Sequence, residues 1–133
     1  MQNKEKPDTL KRVLIIDDEK DFCYFIKANL QLYKDYEVAT ATTGKEGIRL
    51  ARKKAFDLIL LDITMPHMDG YAVLKALKED DKTKAIPVFM LSARTDYKSR
   101  VRSSELWGED YITKPVEVEF LKSKIEKRLF YKI

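Results

Sequence analysis

The chain has 133 residues, 44% of them hydrophobic and 36% charged, with 4 Gly and 4 Pro; this suits one packed globular domain and excludes collagen-like, linker-like and largely disordered classes. Its 26 Lys and Arg against 22 Asp and Glu leave a net charge of +4, spread over helix-like stretches rather than gathered in a stripe, so no direct nucleic-acid binding is expected. No apolar run approaches the roughly 20 residues of a membrane-spanning helix, and Met1 to Lys11 is too polar for a secretory signal. The expectation is a protein of the cytoplasm with no membrane contact, whose single cysteine, Cys23, cannot form an internal disulfide.

Residues 1–10 read as a flexible polar lead-in and residues 11–133 as the folded domain. Arg12 to Ile16 is short and rich in branched residues, the pattern of a buried strand. A helical pattern follows in which Phe22, Ile26, Asn29, Leu30 and Tyr33 share one face, with Cys23 beside it. Tyr36 to Ala41 reads as a second strand, and Ile48 with Ala51 marks a second helix. Asp57 to Leu61 is the third strand. The third helix starts after Gly70, with Asp69 as N-cap and Tyr71, Leu74 and Leu77 or Lys78 turned inward. Val88 to Leu91 is the fourth strand, Val101 and Leu106 indicate a fourth helix, and Asp110 to Ile112 is the fifth strand. Leu121, Ile125 and Leu129 step by four through a last helix, and its basic end, Lys122 to Lys132, reads as frayed surface helix.

Strands alternating with helices predict an α/β fold: a five-stranded parallel sheet, order 2-1-3-4-5, doubly wound with five helices. In such sheets the chemistry gathers at the carboxyl ends of the strands, here in the crevice between the first and third. Strand one ends in Asp17, Asp18 and Glu19, and strand three in Asp62. Crowded carboxylates repel one another unless a cation neutralises them, and an all-oxygen ligand set favours Mg²⁺, or Mn²⁺, over zinc. Ser92 brings a hydroxyl to the same rim and Lys114 an ammonium. That set suits a transferred phosphoryl group, with Asp62 as nucleophile, Asp17 and Asp18 holding the metal, Ser92 donating to a phosphoryl oxygen and Lys114 pairing with the phosphate. Read singly, Asp17, Asp18 and Glu19 serve equally as N-cap and first-turn acids of the first helix, Ser92 as a loop hydroxyl and Lys114 as a surface charge.

Four fragments in order, Ile15 to Glu19, Leu60 to Gly70, Leu91 to Ala93 and Asp110 to Pro115, resemble the receiver domains of two-component response regulators over roughly Lys11 to Phe130. The resemblance implies a flavodoxin-like receiver fold and a phosphorylation switch. Asp62 matches the acceptor of a phosphoryl group from the phosphohistidine of a sensor histidine kinase or phosphotransfer protein. Asp17 and Asp18 match the acidic pair that binds Mg²⁺, with the backbone carbonyl of Thr64 as a further ligand. Ser92 and Lys114 match the groups that respond to the phosphate, and Tyr111 the aromatic switch position. Thr64 and Arg94 match positions that influence the lifetime of the acyl phosphate. The surface altered by the switch is expected to run from Tyr97 to Leu129, over helix four, strand five and helix five, where a downstream protein or a second copy of the chain would bind.

Such a domain catalyses only its own phosphorylation and dephosphorylation. A phosphohydrolase of the haloacid dehalogenase-like type also uses an aspartyl phosphate and Mg²⁺, but wants an acid where Thr64 stands. Nucleotide or flavin binding wants glycines after strand one, where acids stand instead. A pseudo-receiver that only binds proteins would lack part of the acidic and lysine set. Leu106 and Trp107 before Gly108 are bulkier than usual in the family, with Trp107 read as closing the core at the end of helix four. His67, the sole histidine, is read as a surface loop residue and Cys23 as a structural thiol.

Overall fold

The branched runs form strands within one residue of the expected limits. The computed structural model describes residues 10–33, 35–65, 67–93 and 108–131. Among the described residues the order is β1 (Lys11–Ile16), α1 (Lys20–Gln31), β2 (Tyr36–Ala41), α2 (Gly44–Lys53), β3 (Leu58–Asp62), α3 (Gly70–Glu79), β4 (Val88–Ser92), β5 (Asp110–Thr113) and α4 (Val118–Phe130). The helix labelled α4 is the one expected as fifth. The expected fourth helix, with Val101, Leu106 and Trp107, lies outside the described residues, as do Arg94 and nearly all of the lead-in.

The sheet is parallel throughout, in the order β2-β1-β3-β4-β5. Side chains alternate across it with period two. Leu14, Ile16, Ile59, Leu61 and Met90 face α2 and α3, where Ala51, Tyr71, Leu74 and Leu77 meet them. Val13, Ile15, Leu60, Phe89, Leu91 and Ile112 face the opposite way, toward Cys23, Ile26 and Leu30 of α1 and Leu121 and Ile125 of α4. Both faces of the central strands are therefore covered, which is why they read as continuous apolar runs. Each fully buried Leu or Ile contributes about 1.5–3 kcal/mol of transfer free energy to holding the strand ends in place.

Two details differ from the sequence expectation and one that it left open is decided. On α1 the inner positions are Cys23, Ile26 and Leu30; the helix ends at Gln31, and Tyr33 lies beyond it, with its ring 3.6 Å from the Lys122 ammonium. The face takes Cys23, one residue later than Phe22, because Cys23 behaves as a small hydrophobe and completes it with Ile26 and Leu30. On α3, Leu77 is the inward residue, while Lys78 donates to the carbonyls of Ile86 at 2.7 Å and Lys84 at 3.2 Å. The basic end of α4 is not frayed. It stays helical to Phe130, whose ring stands edge-on to Tyr36 at 5.9 Å between centroids, and Lys124 and Arg128 pair with Asp110 at 2.8 Å and Glu109 at 2.6 Å.

Gly70 opens α3 directly against the end of β3. A β-carbon there would collide with the carbonyl oxygen of Asp62 and the α-carbon of Ile63, and would lie 2.7 Å from the Ile63 oxygen. These are backbone atoms that cannot turn aside, and Gly70 N–H already donates to the Ile63 carbonyl at 2.7 Å. Gly70→Ala should cost at least the 1–3 kcal/mol typical of overpacking, about that much in urea unfolding free energy, and should loosen the turn that carries Asp62. Wild-type stability in that variant would show that α3 can retreat without cost.

Candidate functional site

Parallel pairing brings the carboxyl ends of the strands into line. Asp17 N–H donates to the Ala41 carbonyl at 3.0 Å, Ile63 N–H to Leu91 at 2.9 Å and Lys114 N–H to Ser92 at 2.7 Å, so the ladder continues one residue past β1, β3 and β5. The residues it fixes are those singled out from the sequence. Asp17 follows β1 and is fully buried, Asp62 ends β3 at 5% exposure and Ser92 ends β4 at 1%. Asp18 is half-buried. One carboxylate oxygen each from Asp17, Asp18 and Asp62 lie within 4.8 Å of one another.

Lys114 completes the group. Its Nζ donates to Asp17 Oδ2 at 2.8 Å and to Glu19 Oε1 at 2.9 Å, above the ring of Phe22 at 4.4 Å. The peptide between Lys114 and Pro115 is cis. Burial pulls the ammonium's pKa down, but the hydrogen bonds to Asp17 and Glu19 and the charges of Asp17 and Asp62 outweigh it, so the net shift is upward. One ammonium does not balance the acids. Burial and then the neighbouring Asp17 charge push the Asp62 carboxyl up to about 7, against the pull of Lys114 and of the Thr64 N–H. Burial likewise raises Asp17, opposed by its bond to Lys114. A divalent cation fits this donor set, because it would neutralise a buried excess of negative charge through oxygen ligands alone.

The remaining candidates sit around this centre. Thr64 is exposed on the rim, its N–H 3.3 Å from Asp62 Oδ1. Tyr111, second in β5 and opposite Met90, is half-buried against the α2–α3 side of the sheet. His67 is exposed, as expected for a loop. Asp69 caps α3 by accepting from Tyr71 N–H at 2.9 Å. Cys23 donates its thiol to the Asp17 carbonyl at 3.3 Å, and burial with the Asp17 charge pushes its pKa up to about 12, which leaves it an inert thiol. The capping role of the acids after β1 is not borne out as such. Glu19 stands at the N-cap of α1 with no side-chain cap bond, its own N–H donating instead to Asp17 Oδ1 at 3.0 Å. The reach of Glu19 to Lys114 is the contact that sequence reasoning missed; its one signal was the third acid in the run. Beside Asp18 a cleft of about 460 Å³ opens between the connections after β2 and β3, with Asp18, Met65 and Met68 on its wall.

Residues 13–126 match the response regulator receiver domain family. The chain belongs to that family. The receiver is 38% identical over 121 residues to the transcriptional regulatory protein PrrA of Mycobacterium tuberculosis, covering 91% of this chain and 51% of PrrA. It is 35% identical over 117 residues to a probable cyclic di-GMP phosphodiesterase of Vibrio cholerae, covering 88% of this chain and 26% of that protein. Among solved structures, the chemotaxis protein CheY4 of Vibrio cholerae superposes with a TM-score of 0.86 at 29% identity, over 91% of this chain and 100% of CheY4. The receiver thus spans from about a quarter to about half of the length of these two curated relatives. No described helix is long and apolar enough to cross a membrane.

The Asp62 shift has a measurable consequence. Between about pH 4 and pH 7 the folded receiver keeps a proton that the unfolded chain has lost, so without a divalent cation its stability falls as pH rises through that window. Asp62→Asn lacks the titrating group. In chelator-treated buffer the variant should melt on the order of 5 °C above wild type at about pH 7.5, with the gap closing below about pH 4. Parallel melting curves across that range would mean that Asp62 is not held in excess negative charge.

Proposed function

We propose that this receiver is a phosphorylation-dependent switch that takes a phosphoryl group onto Asp62 from a histidine kinase or phosphotransfer protein and presents a changed surface to a downstream protein. The observation that carries the reading is the convergence of Asp17, Asp18 and Asp62 oxygens within 4.8 Å beside the Lys114 ammonium. Asp17, Asp18, Asp62 and the backbone carbonyl of Thr64 would hold Mg²⁺, which supplies charge neutralisation to the carboxylates and to the incoming phosphoryl oxygens.

The remaining steps fall to the side chains. An ionised Asp62 oxygen attacks phosphorus in the donor's phosphoimidazole; the new P–O bond forms as the P–N bond breaks, and the imidazole nitrogen leaves with the electron pair. Ser92 donates a hydrogen bond from its hydroxyl to one phosphoryl oxygen, and Lys114 exchanges a carboxylate partner for the phosphate. Movement of Ser92 toward the phosphoryl group vacates space on the strand beside Tyr111, whose ring follows. Two packings that differ by a few kcal/mol then change in population. The face affected includes β5 and α4; residues 97–107 of the expected Tyr97 to Leu129 surface lie outside the described residues. That face would meet an effector or a second copy of the chain. An aspartyl-phosphate phosphohydrolase is disfavoured because Thr64, not an acid, stands two residues after Asp62.

Incubation with acetyl phosphate and Mg²⁺, read by intact mass, should add one phosphoryl group to the wild type and none to Asp62→Asn or to wild type in chelator. Addition to the variant would move the acceptor elsewhere. Thr64, on the rim beside Asp62, and Arg94, outside the described residues, are placed by this reading along the path of the water that hydrolyses the acyl phosphate. Thr64→Lys or Thr64→Glu should alter the dephosphorylation half-life by a few-fold while leaving phosphate acceptance intact; an unchanged half-life would remove Thr64 from that path.

A further inference from the structure

Glu19 is turned away from the task its position suggests. It occupies the N-cap of α1, yet its side chain makes no cap bond and instead accepts from Lys114 Nζ at 2.9 Å, while remaining 62% exposed. Its backbone N–H donates to Asp17 Oδ1 at 3.0 Å, and Lys114 binds the other oxygen of the same carboxylate at 2.8 Å. Lys114 is therefore held by two acids, one buried beside Asp62 and one at the rim.

We infer that Glu19 is a positioning residue, a rim acceptor that holds the Lys114 ammonium in its resting place and sets how readily it transfers to a phosphoryl group on Asp62. The inference rests on the switch reading above. A cation on the Asp17 oxygens competes with Lys114 for that carboxylate but leaves the Glu19 contact available, so Glu19 keeps the ammonium at the site. A phosphoryl dianion on Asp62 draws Lys114 inward, and the contact with Glu19 is given up. An interaction present before the transfer and absent after it favours the resting population, whatever its absolute strength. An exposed carboxylate suits this role, because its pairing with the ammonium is weak enough to be released.

The test uses the full chain with saturating Mg²⁺ and beryllofluoride as the phosphoryl mimic, titrated by backbone amide chemical shifts. Glu19→Gln should bind the mimic about two- to five-fold more tightly than wild type. In a Lys114→Ala background, where the mimic binds more weakly, the same Glu19→Gln change should have no effect beyond about 1.5-fold, because the ammonium through which Glu19 acts is gone. Unaltered or weaker affinity in the single variant overturns the inference. An equal gain in both backgrounds also overturns it, since it would reduce Glu19 to general repulsion of an anion. A wild type that does not bind the mimic at all would instead sink the switch reading, and this inference with it.

Discussion

Three carboxyl groups and one ammonium crowd the carboxyl end of the sheet, and the imbalance between them governs the rest of the molecule. Ionised acids this close, with Asp17 at 0% and Asp62 at 5% exposure, are unfavourable in a fold that otherwise packs apolar side chains around them. Burial and then the Asp17 charge carry Asp62 up to about 7, because Lys114 compensates Asp17 directly, through a bond of 2.8 Å, and opposes the Asp62 shift only through space. A site in this condition has affinity for further positive charge, and its acids can be held in that condition only because the surrounding fold does not yield.

That rigidity has an identifiable origin. The continued ladder past β1, β3 and β5 fixes the main chain around Asp17, Asp62 and Lys114, with the Ser92 carbonyl as the last acceptor, and side chains on both faces of the sheet lock the strands against sliding. Gly70 lets α3 close on the backbone of Asp62 and Ile63. The long side chain of Lys114 is the adaptable member, crossing from the end of β5 over Phe22 to reach acids almost a hundred residues earlier in the chain. Fixed acids and a movable cation make a site in which a new charge is answered by a side-chain displacement rather than by deformation of the sheet.

Much of this was legible in the sequence because strand ends are. Apolar runs that stop on Asp17, Asp62 and Ser92 state both where a strand finishes and what it delivers, and the alternation of strands and helices fixes which ends are neighbours. Helix phase was harder. Cys23 and Phe22 compete for the inner position of α1; Cys23 takes it, in the cluster that holds Val13 and Ile15, and Phe22 packs at the edge of that cluster. The basic end of α4 looked like loose surface because the partners that order it, Tyr36, Glu109 and Asp110, lie outside the helix, in or next to β2 and β5. Glu19 was obscured for the same reason: a third acid after β1 suggests a helix cap until Lys114 arrives from the far end of the chain.

The strength of the resting pair bears on how a switch of this design can work. A lysine bound by two carboxylates does not move toward a weak attraction, so the incoming group must offer more than either acid does. A phosphoryl dianion carries nearly twice the charge of a carboxylate and three acceptor oxygens, and it would form on Asp62, already within the field of Lys114. The gain on transfer is then the difference between two substantial attractions, not the whole of either. A difference of a few kcal/mol is what a reversible population shift requires. An uncompensated lysine would respond to any passing anion, whereas one held too deeply would not respond at all; an exposed carboxylate beside a buried one places this lysine between those limits.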